Sequence, residues 1–548
     1  MRKWKILLAL TLIYTSSLGV RLIPSIYYDL PYGYDFWEGL MHLGPIIENG
    51  HFSSAPPQGP IFYLLLVGAS LILGPKVFTV FTYFVPFASS AAIFFVYLFT
   101  RKIANENSAL IAALITAAAG IFVHQTTLPV PESLGLTFLA LFIYLLYTVL
   151  TEGDMRKFFL LMLIVIIIVL THHLTSFFML LTLALLCPVV LASKKLSLKM
   201  LTPVIIFFAS LLLTSVWWFF GIPVVSMFFE FIFEASAESW ILGAILALIC
   251  LFLGYRVVFG WEKLRTYFAG REIKISLIIT LTFAIGFAIA TSLWLPMAIE
   301  YHLSPLYQIY YTLPYAAALL FPGLIGLFIH YNKTKESWKR FYPIAWIIAP
   351  LASACFLLAS SSWGALSYRH LAFIFLGAFP MVGYGYHFIC KTGDLKLRLV
   401  KGFTIAYIAL LIGLLSFPPP QFLVGLDEAY YYPEVQAANW IPNYIPKPTT
   451  FDSDHRMGVV IRFTTGQRVY LGNETSWLGE VSQMGSITQI NQTIKYLVIT
   501  EAMLKYTVVG GFLRESKPLP ATATDYLNRS PSITRAYSSN LVTIYKKS

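Results

Sequence analysis

The stretch "GPIFYLLLVGASLILGP", residues 59–75, decides the topology of the chain. It is apolar enough to enter a membrane, yet only about 15 apolar residues stand between its helix-breaking ends, and a helix that crosses a hydrocarbon core needs ~20. Charge arbitrates, because cytoplasmic segments of membrane proteins are enriched in Lys and Arg. If 59–75 lies flat on the outer surface, the cytoplasmic segments hold 23 basic and seven acidic residues. The outer segments before residue 418 then hold three basic residues (Arg21, Lys76 and Arg369) and nine acidic ones. If 59–75 crosses, every later segment changes side and the asymmetry collapses. The pattern predicts an interfacial helix at 59–75, a cytoplasmic N-terminus and an outward C-terminus.

The rest of the chain fits that frame. It has 548 residues, 58% hydrophobic and 12% charged, about half the charge of a soluble protein. Thirteen transmembrane helices are expected, over roughly 4–22, 77–99, 108–123, 133–151, 157–172, 175–192, 200–220, 239–258, 275–299, 312–330, 342–360, 371–389 and 400–418. The net charge of +12 follows from sidedness and calls for no nucleic acid. The start "MRKWKILLALTLIYTSSLGV" has the basic-then-apolar order of a signal peptide but no clean small-residue cleavage pattern, so it reads as a retained first helix. Cys187, Cys250, Cys355 and Cys390 all lie in apolar runs without metal or disulfide spacing.

After Pro418-Pro419-Pro420 the composition turns mixed and polar, with 12 basic and 10 acidic residues in 421–548. "YPEVQAANWI" reads as a helix, "IKYLVIT" and "NLVTIYK" as strands. The expected organisation is a membrane domain over 1–420 and a small extracytoplasmic α/β domain over 421–548. Three N-x-[ST] triplets, at Asn473, Asn491 and Asn528, fit an outside location.

With this topology the scarce ionisable residues gather on one side. Asp35 and Glu38, in "PYGYDFWEGLMH" (31–42), fall in the first outer loop. Glu132, in "LPVPESLG", stands directly before the fourth span, with His124 at the outer end of the third. His172 and His173 end the fifth span, Glu300 and His302 follow the ninth, and Arg369 and His370 precede the twelfth. A carboxylate in partly desolvated surroundings pairs with a cation, binds a metal or takes a proton. Asp35, Glu38 and Glu132 could therefore activate an acceptor hydroxyl or amide, or hold Mg²⁺ or Mn²⁺ through oxygen ligands. Arg369 could grip a phosphate through its planar fork. Blander readings stand beside these: a solvated loop acid for Asp35, a structural role for Glu38, helix capping for Glu132, core packing for His172 and His173, and a snorkelling cation for Arg369. Glu230, Glu234 and Glu238 recur every four residues, as on the wet face of an amphipathic helix.

The order of these features, "YDFWE", "IIENGHF", the proline-led "PPQGPIFYLLL" and then Glu132 before the fourth span, resembles the GT-C class of integral membrane glycosyltransferases. That class includes the oligosaccharyltransferase catalytic subunit, archaeal forms among them, the protein O-mannosyltransferases and the lipid A aminoarabinose transferase. "SYRHLAFIFLGAFPMVGYGY" is similar to the oligosaccharyltransferase segment whose arginine approaches the lipid phosphate, which corresponds to Arg369. The resemblance implies a GT-C-like fold and a donor sugar on a polyprenyl phosphate or diphosphate. It implies that Asp35 is the catalytic or metal-binding acid and that Glu132 belongs to a second acidic motif. Placement at outer helix ends makes His124, His172, His173, Glu300 and His370, with Arg369, the expected substrate-binding residues. The chain lacks the WWDYG acceptor motif of oligosaccharyltransferase; "FDSDHRMG" (451–458) occupies a comparable place. Its second acidic motif is reduced to "PVPE". The acceptor thus stays open among protein, glycan and lipid. A transporter or flippase of lipid-linked glycans is the rival reading, and a receptor or scaffold a third. Transporters place ionisable groups near the midplane of repeated halves, and no repeat is visible here.

Overall fold

In the computed structural model of the chain the described residues are 3–33, 35–51, 59–74, 77–192, 198–220, 271–293, 316–358, 369–391, 395–414, 416–417, 429–471, 476–484, 493–506, 508 and 518–548, with single positions between 241 and 248. The first eleven helices are α1 Lys3–Tyr28, α2 Asp35–Asn49, α3 Pro60–Leu73, α4 Val77–Ser90, α5 Ala92–Ile103, α6 Glu106–Ala118, α7 Gly120–Thr127, α8 Pro131–Glu152, α9 Met155–Thr171, α10 His173–Ala192 and α11 Leu198–Phe220. Further helices run over Glu272–Leu293, Phe321–Lys333, Ser337–Leu358, Arg369–Cys390 and Leu395–Leu414.

Helices thus overlie twelve of the thirteen expected spans, and the remaining one, 239–258, falls almost wholly outside the described residues. Among the described residues six helices are long and apolar enough to cross a membrane, or seven if the bent pair α6–α7 is one span. The stretch over 59–75 is a helix of 14 residues, α3, ~21 Å long and short of a ~30 Å hydrocarbon core. Residues 35–49, read from sequence as loop, form the helix α2.

The described residues divide into two compact units. The first holds residues 3–22 and those described among 59–292 and 316–417. Its core is built by α5, α6, α8, α9, α10 and the Ser337–Leu358 and Arg369–Cys390 helices. Tyr342 anchors one helix on another, its hydroxyl donating to the Ile143 carbonyl at 2.6 Å. The small residues of "FLGAFPMVGYGY" allow the Arg369–Cys390 helix to be gripped from several sides. A Cβ at Gly385 would sit 1.8 Å from the Pro322 carbonyl oxygen, and one at Gly383 2.4 Å from that of Ser108. Close backbone approach through small residues is how helices associate in lipid, where apolar burial offers no driving force.

The second unit joins residues 23–51 to residues 429–548. Its sheet has the order β2-β1-β3-β5-β4, with β1 Thr450–Ser453, β2 Arg468–Leu471, β3 Tyr496–Thr500, β4 Ile533–Ser538 and β5 Val542–Lys547. β1 pairs in parallel with both β2 and β3, while β5 is antiparallel to β3 and to β4. Helices His455–Thr465 and Trp477–Met484 make the crossovers. The chain leaves β1 toward one side and returns on the other, so the strand order reverses at the carboxyl end of β1. A fully buried ion pair ties this sheet to the Tyr432–Tyr444 helix: Arg456 donates to Glu434 Oε1 at 2.7 and 2.8 Å and to Oε2 at 2.6 Å. The Arg456 guanidinium also lies over the Tyr430 ring at 4.8 Å.

Candidate functional site

Within the first unit the polar residues singled out by sequence converge on helix ends. The bend that begins the site lies at Ala119, where α6 and α7 meet at 60°. α7 carries His124, whose ring stands 6.5 Å from that of Phe417. Three residues beyond α7, α8 begins at Pro131, a position where the missing N–H costs nothing. Glu132 occupies its first turn, where the helix dipole favours a negative charge. Ser133 fixes this corner, donating to the Gln125 carbonyl at 2.7 Å.

Glu132 is buried, with 4% of its side chain exposed, and its Oε2 lies 3.7 Å from Arg369 Nη1. Its Oε1 has no hydrogen-bond partner among the described residues. Arg369 opens the Arg369–Cys390 helix and keeps 24% of its side chain exposed. Its planar guanidinium carries five N–H donors in a fixed fork.

Three histidines lie within electrostatic reach of Arg369. His172 alone joins α9 to α10, in an extended conformation (φ −155°, ψ 125°), and its Nδ1 is 3.0 Å from Thr175 Oγ1. The rings of His172 and His173 are 4.9 Å apart. The Arg369 charge acts on His124, His172 and His173 alike. His370 turns elsewhere: its Nε2 is 3.0 Å from Ser353 Oγ and its ring packs edge-on against Phe178 at 4.9 Å. Gly135 makes the assembly possible, because α8 approaches α10 so closely that a Cβ there would lie 2.5 Å from Thr175 Oγ1. Gly59 (φ +107°) packs against the end of α9, where a Cβ would stand 2.4 Å from the Leu170 carbonyl oxygen.

Asp35 and Glu38 belong to the second unit. The chain turns between α1 and α2 with Asp29 (φ 56°) and Gly33 (φ 111°) in left-handed conformations. Both acids then fall in the first turn of α2. Trp37 pins the helix, with its ring 5.8 Å from Tyr430 and 5.4 Å from Phe463. Asp35, Glu434, Asp454 and Arg456 all lie within electrostatic reach of Tyr430, so the first-loop acid shares its surroundings with "FDSDHRMG". Burial pushes the Glu38 carboxyl up from its ordinary range, and Arg462 partly opposes this. Asp452, on β1, is buried completely. Burial raises its carboxyl to about 7, against hydrogen bonds from the start of the Trp477–Met484 helix.

Glu300, His302, Glu230, Glu234, Glu238 and Cys250 lie outside the described residues. Among the described residues no group of three or more His, Cys, Asp and Glu side chains is spaced to hold a metal ion. Sequence reasoning gave Arg21, Tyr430, Arg456 and Arg462 no role. Only Glu434 left a signal, since it closes a capping box with the backbone N–H of Tyr431.

Residues 57–220 match the family described as dolichyl-phosphate-mannose-protein mannosyltransferase. No curated protein sequence matches the chain. The fold is similar to that of the Archaeoglobus fulgidus oligosaccharyltransferase in its apo form, with a TM-score of 0.56, 14% identity, and coverage of 91% of this chain and 70% of that one. The same archaeal protein, AglB, in complex with an inhibitory peptide and a dolichol-phosphate gives 0.52, 14%, 91% and 70%. Its complex with Zn and sulfate gives 0.54, 14%, 90% and 68%. At such identities the structures speak for the fold, which is similar to that of a GT-C-type membrane glycosyltransferase, and the family match covers residues 57–220 of the 548.

Proposed function

We propose that the chain moves a sugar or glycan from a polyprenyl-phosphate-type lipid donor to an acceptor on the outer face of the membrane. The observation that carries this reading is Arg369. It is a partly buried cation at a helix end, 3.7 Å from Glu132 and within electrostatic reach of His124, His172 and His173. That arrangement suits an anion that arrives with its lipid among the helices and gains charge on leaving. In this reading Asp35 takes the proton from the acceptor hydroxyl or amide as its oxygen or nitrogen attacks the anomeric carbon. The bond from that carbon to the phosphate oxygen breaks, and Arg369 stabilises the departing phosphate. Glu132 orients Arg369, and Glu38 with Arg462 holds the helix that presents Asp35. The bond of the lipid to sugar, with nucleotide sugars absent outside, fits a donor of this kind.

The archaeal oligosaccharyltransferase has been solved with Zn. Asp35 in the second unit and Glu132 in the first are carboxylates of the kind that Mg²⁺ or Mn²⁺ takes, and among the described residues no group of three such ligands is found. Purified protein given a labelled polyprenyl-phosphate sugar should release polyprenyl phosphate only when an acceptor is present. Asp35→Asn should lower that rate about 10²–10⁴-fold with donor binding kept; unchanged turnover by the variant would remove Asp35 from the mechanism. The outer location has its own check. Glu48→Cys, at an exposed position, should react with a membrane-impermeant maleimide applied from outside.

A further inference from the structure

Arg21 lies in α1, in the stretch "SSLGVRLIP", and is fully buried. Among the described residues it forms no ion pair with a carboxylate. A permanent charge in the interior of a membrane protein is costly unless its hydrogen bonds accomplish something specific. Its Nε donates to Thr126 Oγ1 at 3.0 Å. Its Nη1 donates to Ser17 Oγ at 2.6 Å, to the Ser17 carbonyl at 3.2 Å and to the Ala117 carbonyl at 3.5 Å. Nη2 has no partner.

Two of those acceptors lie on either side of the α6–α7 break, Ala117 in the last turn of α6 and Thr126 in the last turn of α7. A broken span strands carbonyls at the end of its first half, and in lipid each stranded group costs several kcal/mol if unsatisfied. The Ala118 carbonyl is met by Ser416 Oγ at 3.4 Å. On its other flank α7 receives Ser89 Oγ on the Thr126 carbonyl at 2.6 Å. Arg21 is the group that touches both halves of the bend.

We propose that Arg21 is a positioning residue: its guanidinium bridges α6 and α7, fixes the 60° bend, and so sets where His124 and the corner leading to Glu132 stand. Arginine suits this task because its rigid fork spans several acceptors at once, whereas a lysine ammonium on a flexible stem reaches fewer. The activity arm of the test rests on the proposed sugar transfer; the structural arm does not.

The test is hydrogen exchange on the full-length protein in detergent, for Arg21→Lys, Arg21→Met and Thr126→Val. In Arg21→Met the amides of 120–127 should exchange at least 10-fold faster while those of α8 and α9 hold their rates. Arg21→Lys should fall between, and Thr126→Val should add little to Arg21→Met in the double variant. Where transfer is measurable, the kcat of Arg21→Lys should fall with the KM for donor little changed. Unaltered exchange in 120–127 overturns the proposal whatever the activity, as does a uniform rise across all helices, which would mark Arg21 as a general packing residue. If Arg21→Met does not fold, Thr126→Val alone decides. Unchanged transfer in every variant, with exchange localised as expected, overturns the positioning of the site by Arg21, whereas absence of transfer in the wild-type protein, with the same exchange result, sinks the proposed reaction and leaves the bracing intact.

Discussion

Replacing Gly135 by alanine strikes the site at its narrowest point. The added Cβ would stand 2.5 Å from Thr175 Oγ1, 3.2 Å from His172 Cβ and 3.3 Å from Thr175 Cβ. Non-bonded carbons settle at ~3.5–4 Å, so α8 and α10 must part locally by on the order of 1 Å, or Thr175 must turn and release His172. Overpacking of this kind costs roughly 1–3 kcal/mol. Alanine returns ~0.5–1 kcal/mol through the backbone entropy that glycine loses in a helix. The net loss should be about 0–2.5 kcal/mol, a modest fall in melting temperature. The site is more sensitive than the fold, because a ~1 Å misplacement of reacting groups can cost ~10² in rate. Gly135→Ala should therefore lower kcat/KM for sugar transfer by about 10²-fold while the protein remains folded. Thr175→Ala removes the nearest atom, and the double variant should be more stable and more active than the sum of the two singles predicts. If the double variant merely adds the two losses, the clash is not what disables Gly135→Ala. If Gly135→Ala alone behaves as wild type, the close approach of α8 to α10 does not set the site.

Arg369→Gln should lower kcat/KM by about 10²–10³-fold, the scale for losing one transition-state charge contact; a wild-type value would exclude Arg369 from the leaving phosphate. Glu434→Gln strands the buried Arg456 and should destabilise the second unit by roughly 3–5 kcal/mol, read as faster amide exchange over 432–444, while Glu434→Leu with Arg456→Met should recover most of the loss. The Asp452 carboxyl, held at about 7 by burial, keeps its proton longer folded than unfolded. Stability of the second unit should therefore fall as pH rises from ~4 to ~7 and level off above, by about 4 kcal/mol at most. Asp452→Asn should flatten that pH profile of amide exchange in the β1–β3 region.

The apolar runs and their Pro and Gly ends were enough to place the helices, because in a membrane length and hydropathy outweigh other signals. Residue pairs distant in sequence were not legible. α2 carries Gly39, Gly44 and Pro45, so "DFWEGLMHLGPIIEN" reads locally as loop. It folds as helix because Trp37 packs on Tyr430 and Phe463, some 400 residues away. The α6–α7 break leaves only Gly120 as a sequence sign, since its braces are Arg21, in the first helix of the unit, and Ser416, just beyond its last. His172 and His173 were conspicuous as neighbours in sequence. Their relation to Glu132 was hidden, because it passes through Gly135, a residue whose meaning is the side chain it lacks. The departure from the oligosaccharyltransferase acceptor motif was visible in "FDSDHRMG". Its shared surroundings with Asp35, through Tyr430, were not.

Three arginines show how this chain spends its scarce interior charge. Arg456 is fully buried and matched by Glu434 through both carboxylate oxygens; with its charge met and its donors filled, it holds structure. Arg369 stands 3.7 Å from Glu132 and keeps 24% of its side chain exposed, so of the three it is the one with surface open to a ligand. Arg21 is fully buried and, among the described residues, has no carboxylate and donates only to hydroxyls and carbonyls, those of Ser17 and of a broken helix. A hydrocarbon interior would strongly favour a neutral residue at that position. The charge persists because a bent span needs a donor that reaches both of its halves, and that need links the end of α1 to the helix that carries His124.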